Sequence, residues 1–240
     1  LDESKLSEQQ AERYASLLAR RAAGEPLQYI LGEQDFFGLR FRVDGRVLIP
    51  RPETEILCEK ALDFLRTRPG MKALDLCAGS GALAVTLALR CPDAEVWACD
   101  ISPDALEVAG ENARRFGAAV RFAQGDLFAP LSGERFDLIV SNPPYVARSD
   151  LDKLQPEVRR EPVLALDGGP DGLDFYRRIA REAPPHLHEG GRILLEVGAG
   201  QAEAVASMLA ARNFLPDEIL RDLSGIPRVV CAAGPLKTSR

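Results

Sequence analysis

The tetrapeptide Asn142-Pro143-Pro144-Tyr145 directly follows the apolar run Phe136-Asp137-Leu138-Ile139-Val140-Ser141, and its residue types suit the holding of one planar NH2 group. An amide or aniline-like nitrogen is a poor nucleophile, because its lone pair is delocalised into the neighbouring carbonyl or ring. The Asn142 side-chain oxygen and the Pro143 backbone carbonyl are two acceptors for the two N–H protons, and such bonds turn the lone pair out of conjugation. Tyr145 is placed to stack on the planar group. The prolines fix φ and remove donors, so the acceptors are set before substrate arrives. This points to N-methylation. The same residues also make an ordinary turn, since Asn favours turn initiation and Pro cannot continue a ladder. Their position downstream of a cofactor loop is what favours chemistry.

That loop is Leu74-Asp75-Leu76-Cys77-Ala78-Gly79-Ser80-Gly81-Ala82-Leu83-Ala84, which runs from a strand through a Gly-rich turn into a helix. Such a turn lets the backbone approach a ligand at the strand's carboxyl end. Gly79, Gly81 and Ala84 satisfy the G-x-G-x-x-A form of the dinucleotide fingerprint, so the loop alone does not separate a nicotinamide cofactor from S-adenosylmethionine. Asp100 ends the next strand, 19 residues beyond Gly81, where a carboxylate accepts both hydroxyls of a ribose. Asp126, in Gly125-Asp126-Leu127-Phe128 after the third strand, is a candidate for an adenine amino group, with Leu127 or Phe128 covering the ring. Its competitor is a plain Gly-Asp turn. A dehydrogenase needs an acid or base near the nicotinamide, and neither His186 nor His188 follows a strand end. The acceptors at Asn142 and Pro143 favour S-adenosylmethionine.

The elements that position these residues are legible from periodicity. From Lys72 onward, strands are expected at 72–77, 95–100, 119–123, 136–141 and 192–197, with helices at 82–90, 103–116, 173–183 and 201–212. The near-continuous apolar strands imply a parallel sheet covered on both faces, a doubly wound α/β fold. Two further strands near 217–221 and 228–232 are joined by Ser224-Gly225-Ile226-Pro227, too short for a parallel crossover, so an antiparallel pair is predicted. Ahead of this sheet, Ser7 to about Ala23 reads as one amphipathic helix stopped by Gly24-Glu25-Pro26. The alternation of Phe37, Leu39, Phe41 and Val43 predicts a strand, with Gln28-Tyr29-Ile30-Leu31 as its hairpin partner. A helix from Pro52 to Arg66 follows, with Pro52 as its first residue and Glu53 and Glu55 in the first turn, which already accounts for much of that segment without a role for Arg51. The stretch from Val146 to Gly172 has little periodicity and directly follows the proposed site, so it is a candidate lid or recognition insert.

Composition narrows the class. The 240 residues are 46% hydrophobic and 28% charged, ordinary for a globular protein with an ample core. No run approaches the ~18 apolar residues of a membrane span and the first residues carry no signal-peptide pattern, so a cytoplasmic location is expected. Five cysteines without C-x-x-C spacing predict neither disulfide nor zinc, and the two histidines read as surface loop residues. The net charge of −6 disfavours direct nucleic-acid binding, and Arg159-Arg160 and Arg177-Arg178 with Arg181 read as solvated helix faces.

Several segments together resemble a known family, the protein-(glutamine-N5) methyltransferases that modify the glutamine of the Gly-Gly-Gln loop in peptide-chain release factors. They are Glu25 to Gly32, Leu48-Ile49-Pro50-Arg51-Pro52-Glu53-Thr54-Glu55, Asp75 to Gly81, Asp100-Ile101-Ser102-Pro103, Ser141 to Tyr145 and Leu166-Asp167-Gly168-Gly169. The resemblance implies the class I S-adenosylmethionine-dependent methyltransferase fold: a doubly wound, mostly parallel seven-stranded sheet with an antiparallel last strand, plus a small N-terminal helix and β-hairpin. It implies that Cys77, Ala78, Gly79, Ser80 and Gly81 wrap the methionine and ribose part of S-adenosylmethionine, that Asp100 binds the ribose and that Leu127 lies by the adenine. Asn142, Pro143, Pro144 and Tyr145, with Arg51 nearby, would hold the target glutamine. S-adenosylhomocysteine would be the product, class 1 release factors the partners, and no metal would take part. Relatives carry glycine where this chain has Cys77, and a helical N-terminal domain where it has room for one helix. The expected units are therefore a remnant of that domain at 1–24, a β-hairpin linker at 25–51 and the methyltransferase domain at 52–240.

Two rivals stand beside this reading. An amino methyltransferase acting on DNA or RNA bases uses the same chemistry on an exocyclic NH2. A non-catalytic cofactor-binding scaffold is disfavoured, because both the glycine loop and the amide-holding turn are intact.

Overall fold

A computed structural model describes residues 7–234 of the chain. Residues 1–6 and 235–240, which belong to the expected end units and include the residues read for a signal peptide, lie outside the described residues. The main body is a seven-stranded sheet of β3 (Lys72–Leu76), β4 (Glu95–Asp100), β5 (Val120–Gln124), β6 (Phe136–Ser141), β7 (Leu187–Glu196), β8 (Leu215–Arg221) and β9 (Pro227–Ala233). Their spatial order is β5-β4-β3-β6-β7-β9-β8, and the pairs from β5 to β7 are parallel while β9 runs antiparallel to both of its neighbours.

Period-2 alternation sends successive residues of each strand to opposite faces. Ala73, Leu138, Val140 and Leu194 join one core with α3 (Thr54–Leu65), α4 (Ala82–Arg90) and α5 (Pro103–Phe116). Leu74, Ile139, Ile193 and Leu195 join the other with α6 (Asp174–Glu182) and α7 (Ala202–Ala210). Both faces are thus covered, which is why these strands read as continuous apolar runs. The chain moves outward from β3 through β4 to β5, then returns to β6 on the other side of β3. That reversal opens a crevice at the carboxyl ends of β3, β4 and β6.

The N-terminal region differs from its expected pairing. Helix α1 (Glu8–Ala22) carries the predicted Ser7 cap, closed as a capping box with Gln10. Residues 28–31, expected to be a strand, form instead the short helix α2 (Leu27–Leu31), which ends at Gly32 in the left-handed region, φ 76°. The Tyr29 hydroxyl donates to the Val47 carbonyl at 2.5 Å, so tertiary contact and the Gly32 stop decide the local conformation. The hairpin is β1 (Glu33–Phe36) against β2 (Leu39–Arg42), joined by Phe37 and Gly38 at φ 50° and 74°. Two consecutive positive φ values are those of a type I′ turn, whose twist matches that of paired strands.

Other boundaries shift for local reasons. Pro52 and Glu53 form a turn, with Thr54 N–H donating to Arg51 C=O, so α3 starts at Thr54 and not at Pro52. Strand β7 begins at Leu187, before Gly190 and Gly191, and the ladder with β6 absorbs the extra residues as an irregularity between Phe136 and Leu138. His188 accordingly lies in β7, and His186 lies in a 3-10 turn with its ring stacked 4.8 Å from Phe128, so neither is a loop residue. The five cysteines are free thiols, all buried except the half-buried Cys77. No helix among the described residues is long and apolar enough to cross a membrane.

Candidate active site

The crevice holds a cavity of about 220 Å³. Its floor is the turn after β3, where Cys77, Ala78, Gly79 and Ser80 line it. Asp75, one position back on β3, caps α4 from beneath: its Oδ2 accepts the Ala84 N–H at 3.0 Å. Gly81, by contrast, is not part of the wall. It sits at φ 77°, and a Cβ there would lie 2.9 Å from the Ala109 Cβ, so its lack of a side chain serves the close approach of α4 to α5. Cys77 adopts φ 64°, the left-handed conformation glycine takes freely, and its side chain packs on the α6–α7 core. Burial pushes its thiol well above the usual range.

Asp100 closes one side. Its Oδ2 accepts the Gly79 N–H and its Oδ1 the Ser102 N–H, both at 2.9 Å, which fixes the carboxylate against the glycine turn. Burial raises its pKa from 3.8, partly opposed by those N–H donors. Further along, Asp126 and Leu127 line the cavity; Leu127 is buried at φ 50°, and the Asp126 carboxylate accepts from Arg178 of α6 at 2.9 Å. Arg178 is therefore a wall residue and not a plain solvated face, while Arg177 pairs with Asp171 and Asp174.

The corner after β6 contributes Asn142 and Pro144 to the cavity, whereas Pro143 and Tyr145 do not line it. Tyr145 packs against the α6–α7 core, with its carbonyl accepting from Gln201 Nε2 at 3.0 Å. Asn142 Nδ2 donates to Thr54 Oγ1 at 3.2 Å, and its Oδ1 is buried without a hydrogen-bond partner. Asp75 Oδ1 is likewise unpaired. Unpaired buried acceptors are rare and mark places where structure serves function.

Arg51 is also outside the wall. Its guanidinium pairs with the buried Glu161 at 2.5 Å, and the same carboxylate accepts the Ile49 N–H at 3.0 Å. This ties the long segment to the start of α3. That segment is not irregular throughout: it forms 3-10 turns at Arg148–Lys153, Val158–Arg160 and Val163–Ala165, and Val146 bridges Asp167. Pro162, Leu164 and Ala165 reach the cavity, as do Val47, Leu48 and Pro50 from before α3 and Thr54 at its first position. Periodicity carries no sign of these residues. The resemblance over Leu48–Glu55 and the aperiodic 146–172 stretch after the corner are the signals that point to them.

Glycines hold the corner from behind. A Cβ on Gly168 would lie 2.8 Å from the Tyr145 Cα and 2.9 Å from the Pro144 carbonyl oxygen, so this backbone packs directly on the turn. Asn112 of α5 does similar work for the floor, since its Nδ2 donates to the Ser80 carbonyl at 2.9 Å and to the Arg42 carbonyl at 3.0 Å.

The residues present fit S-adenosylmethionine. Asp100 and Asp126 give the wall an acidic character suited to a cationic ligand, Ile101, Ala105 and Leu127 offer an apolar side for a base, and the space beside Gly79 is open for close approach of a ligand. Among the described residues, no group of three or more His, Cys, Asp or Glu side chains is arranged to hold a metal ion.

Comparison with known proteins places this geometry in context. The family model described as Methyltransferase small domain matches residues 54–158, and that described as PrmC N-terminal domain matches residues 1–32. A release factor glutamine methyltransferase of Geobacter sulfurreducens is 52% identical over 216 residues, covering 89% of this chain and 75% of that protein. Among solved structures, a release factor-specific protein-(glutamine-N5) methyltransferase of Alicyclobacillus acidocaldarius is 35% identical with a TM-score of 0.51, covering 82% of this chain and all of that one. A 16S rRNA N2 G1207 methyltransferase of T. thermophilus, solved with AdoMet and guanosine, shares the fold alone at 19% identity and a TM-score of 0.60, over 84% of this chain and 49% of that one. With half of its residues shared with a relative over most of both lengths, the chain belongs to the release factor glutamine methyltransferase family.

Proposed function

We propose that this enzyme methylates the side-chain amide N5 of the glutamine in the Gly-Gly-Gln motif of class 1 peptide-chain release factors, in the cytoplasm. The observation that carries the site assignment is the unpaired Oδ1 of Asn142, a wall residue of the cavity at the carboxyl ends of β3 and β6. Asn142 Oδ1 accepts one amide proton at the cavity wall, and the Pro143 carbonyl, next in the corner though outside that wall, is the second acceptor in this reading; together they localise the nitrogen lone pair. Pro143 and Pro144 keep those acceptors rigid, and Tyr145 borders the target group. Cys77 to Ser80, Asp100, Asp126 and Leu127 hold S-adenosylmethionine, which when bound supplies an electrophilic methyl group on a sulfonium. The amide is not deprotonated beforehand, because its protons are only weakly acidic. Polarisation and placement by the corner therefore carry the lowering of the barrier.

The acidic balance of the chain, and the pairing of Arg177, Arg178 and Arg181 with carboxylates, support a protein substrate over a nucleic acid. The test is incubation with methyl-labelled S-adenosylmethionine and either intact release factor or RNA and DNA. One added methyl on the Gly-Gly-Gln peptide is the expected result. Label on nucleic acid alone would overturn the assignment.

A further inference from the structure

We infer that Gln201 holds the Asn142-Pro143-Pro144-Tyr145 corner in its working position, as a positioning residue for methyl transfer. The inference rests on the reading that this corner holds the substrate amide. It concerns a separate question, namely what keeps the corner still when its own backbone has so few groups to hold with.

Pro143 and Pro144 have no N–H, so the middle of the corner cannot donate a backbone hydrogen bond. It has to be pinned at its ends. At the near end, Asn142 Nδ2 donates to Thr54 Oγ1 at 3.2 Å. At the far end, the Tyr145 carbonyl accepts from Gln201 Nε2 at 3.0 Å, across 56 residues of sequence.

Gln201 stands directly ahead of α7 as its N-cap residue, yet its side chain does not cap that helix. It reaches three stretches of backbone instead. Nε2 donates to the Tyr145 carbonyl and, at 3.3 Å, to the carbonyl of Gly172, where the 146–172 segment ends, while Oε1 accepts the Gly198 N–H at 2.9 Å. Two carbonyls facing the NH2 group and one N–H facing the oxygen leave the carboxamide a single satisfied orientation. Glycine is required at two of these positions. A Cβ on Gly172 would collide with the Tyr145 carbonyl oxygen and with Gln201 Nε2, and one on Gly198 would lie 2.9 Å from Gln201 Oε1 and 3.1 Å from Tyr145 Cδ2. The clamp thus joins the corner, the end of the long segment and the turn after β7. A misplacement of about 1 Å at a reacting centre costs on the order of a hundredfold in rate, so fixing Tyr145, two residues from the Pro143 carbonyl, bears on kcat and not on folding alone.

The test uses the whole chain with intact release factor at pH 8. Gln201→Glu keeps an oxygen for the Gly198 N–H but turns a carboxylate, with no proton to give, toward the two carbonyls. Gln201→Met keeps the length and removes donor and acceptor together. Each is expected to lower kcat about tenfold, the value of a lost hydrogen bond that leaves its partner unpaired, with KM for S-adenosylmethionine unchanged, at a temperature where circular dichroism shows the variant folded. A second readout is independent of turnover. The chain has four tyrosines, Tyr14, Tyr29, Tyr145 and Tyr176, so ring-13C labelling gives four sets of NMR signals, of which Tyr145→Phe identifies one. In both variants the Tyr145 signals are expected to shift and broaden while those of Tyr29 stay in place. Wild-type kcat in folded Gln201→Glu, or unmoved Tyr145 signals, overturns the inference. So does a loss of activity that follows the folded fraction alone. If Asn142→Ala itself turns over normally, the site assignment falls instead, and the tyrosine signals still report whether Gln201 holds the corner.

Discussion

Arg51 and Glu161, 110 residues apart in sequence, meet at 2.5 Å over the start of α3, and the carboxylate that receives the guanidinium also accepts the Ile49 N–H. Glu161 is 3% exposed, so this one side chain anchors the segment carrying Pro162, Leu164 and Ala165 to the cavity rim. Arg51→Ala leaves a buried carboxylate without its cation. The expected destabilisation is about 2 kcal/mol, less than the ~3–5 kcal/mol of a fully buried pair because the Arg51 side chain keeps partial exposure. Limited proteolysis should show faster cleavage within 148–166. Unchanged melting and cleavage would remove Glu161 from this role.

Asn142→Ala deletes a preorganised acceptor and should cost roughly 3 kcal/mol of transition-state stabilisation, about a hundredfold in kcat. S-adenosylmethionine affinity, measured by calorimetry, should hold, because the cofactor contacts proposed for Cys77 to Ser80 and Asp100 are untouched. Near-normal turnover would defeat the assignment of this residue.

Gly168→Ala forces a Cβ against the backbone of Pro144 and Tyr145 at under 3 Å. Backbone cannot swing aside as a side chain does, so the corner itself must move, at about 1–3 kcal/mol in stability. The prediction is a fall in kcat greater than the fall in folded fraction, read by assaying at a temperature where the variant remains folded. Loss of stability with full kcat would show that the corner tolerates displacement.

Stability should fall as pH rises from about 4.5 to 8. Burial pushes Glu196 up to about 7 and Asp75 to about 8. The folded chain therefore holds protons that the unfolded chain has already released at those pH values, and rising pH favours unfolding. Asp44 and Asp222, held below the usual carboxylate range first by their arginine partners, act in a separate window: their stabilisation is lost only as pH drops below about 4. Denaturant midpoints at pH 5 and 8 measure the difference, and Glu196→Gln should reduce it. A slope identical in that variant would contradict the raised pKa.

Asp100→Asn keeps shape but replaces one oxygen of a carboxylate that already accepts from Gly79 and Ser102 with a donor. One of those N–H groups then faces an NH2. Cofactor affinity should drop by at least about tenfold, as expected for a lost hydrogen bond to a charged group, with little change in kcat at saturation. Equal affinity in a calorimetric titration would exclude Asp100 from the ribose site.

The sequence alone determined the alternation of strand and helix from Lys72 onward, because period-2 and period-3.6 patterns, Gly turns and Pro stops are local properties of the chain. Helices α4 and α5 and strands β4 and β6 fall where periodicity puts them. The candidate cofactor turn and the corner at Asn142 are equally legible, since each is a short segment at a strand end. Only the tertiary structure decided what long-range contact controls. It made Gln28 to Leu31 a helical turn, withdrew Arg51 from the cavity to meet Glu161, packed Tyr145 against the α6–α7 core, and brought Thr54 to Asn142. None of these partners lies within a dozen residues of the other, and no periodicity encodes which distant side chain will satisfy a buried polar atom. That choice is made by the packing of α3, β6 and β7 around one crevice.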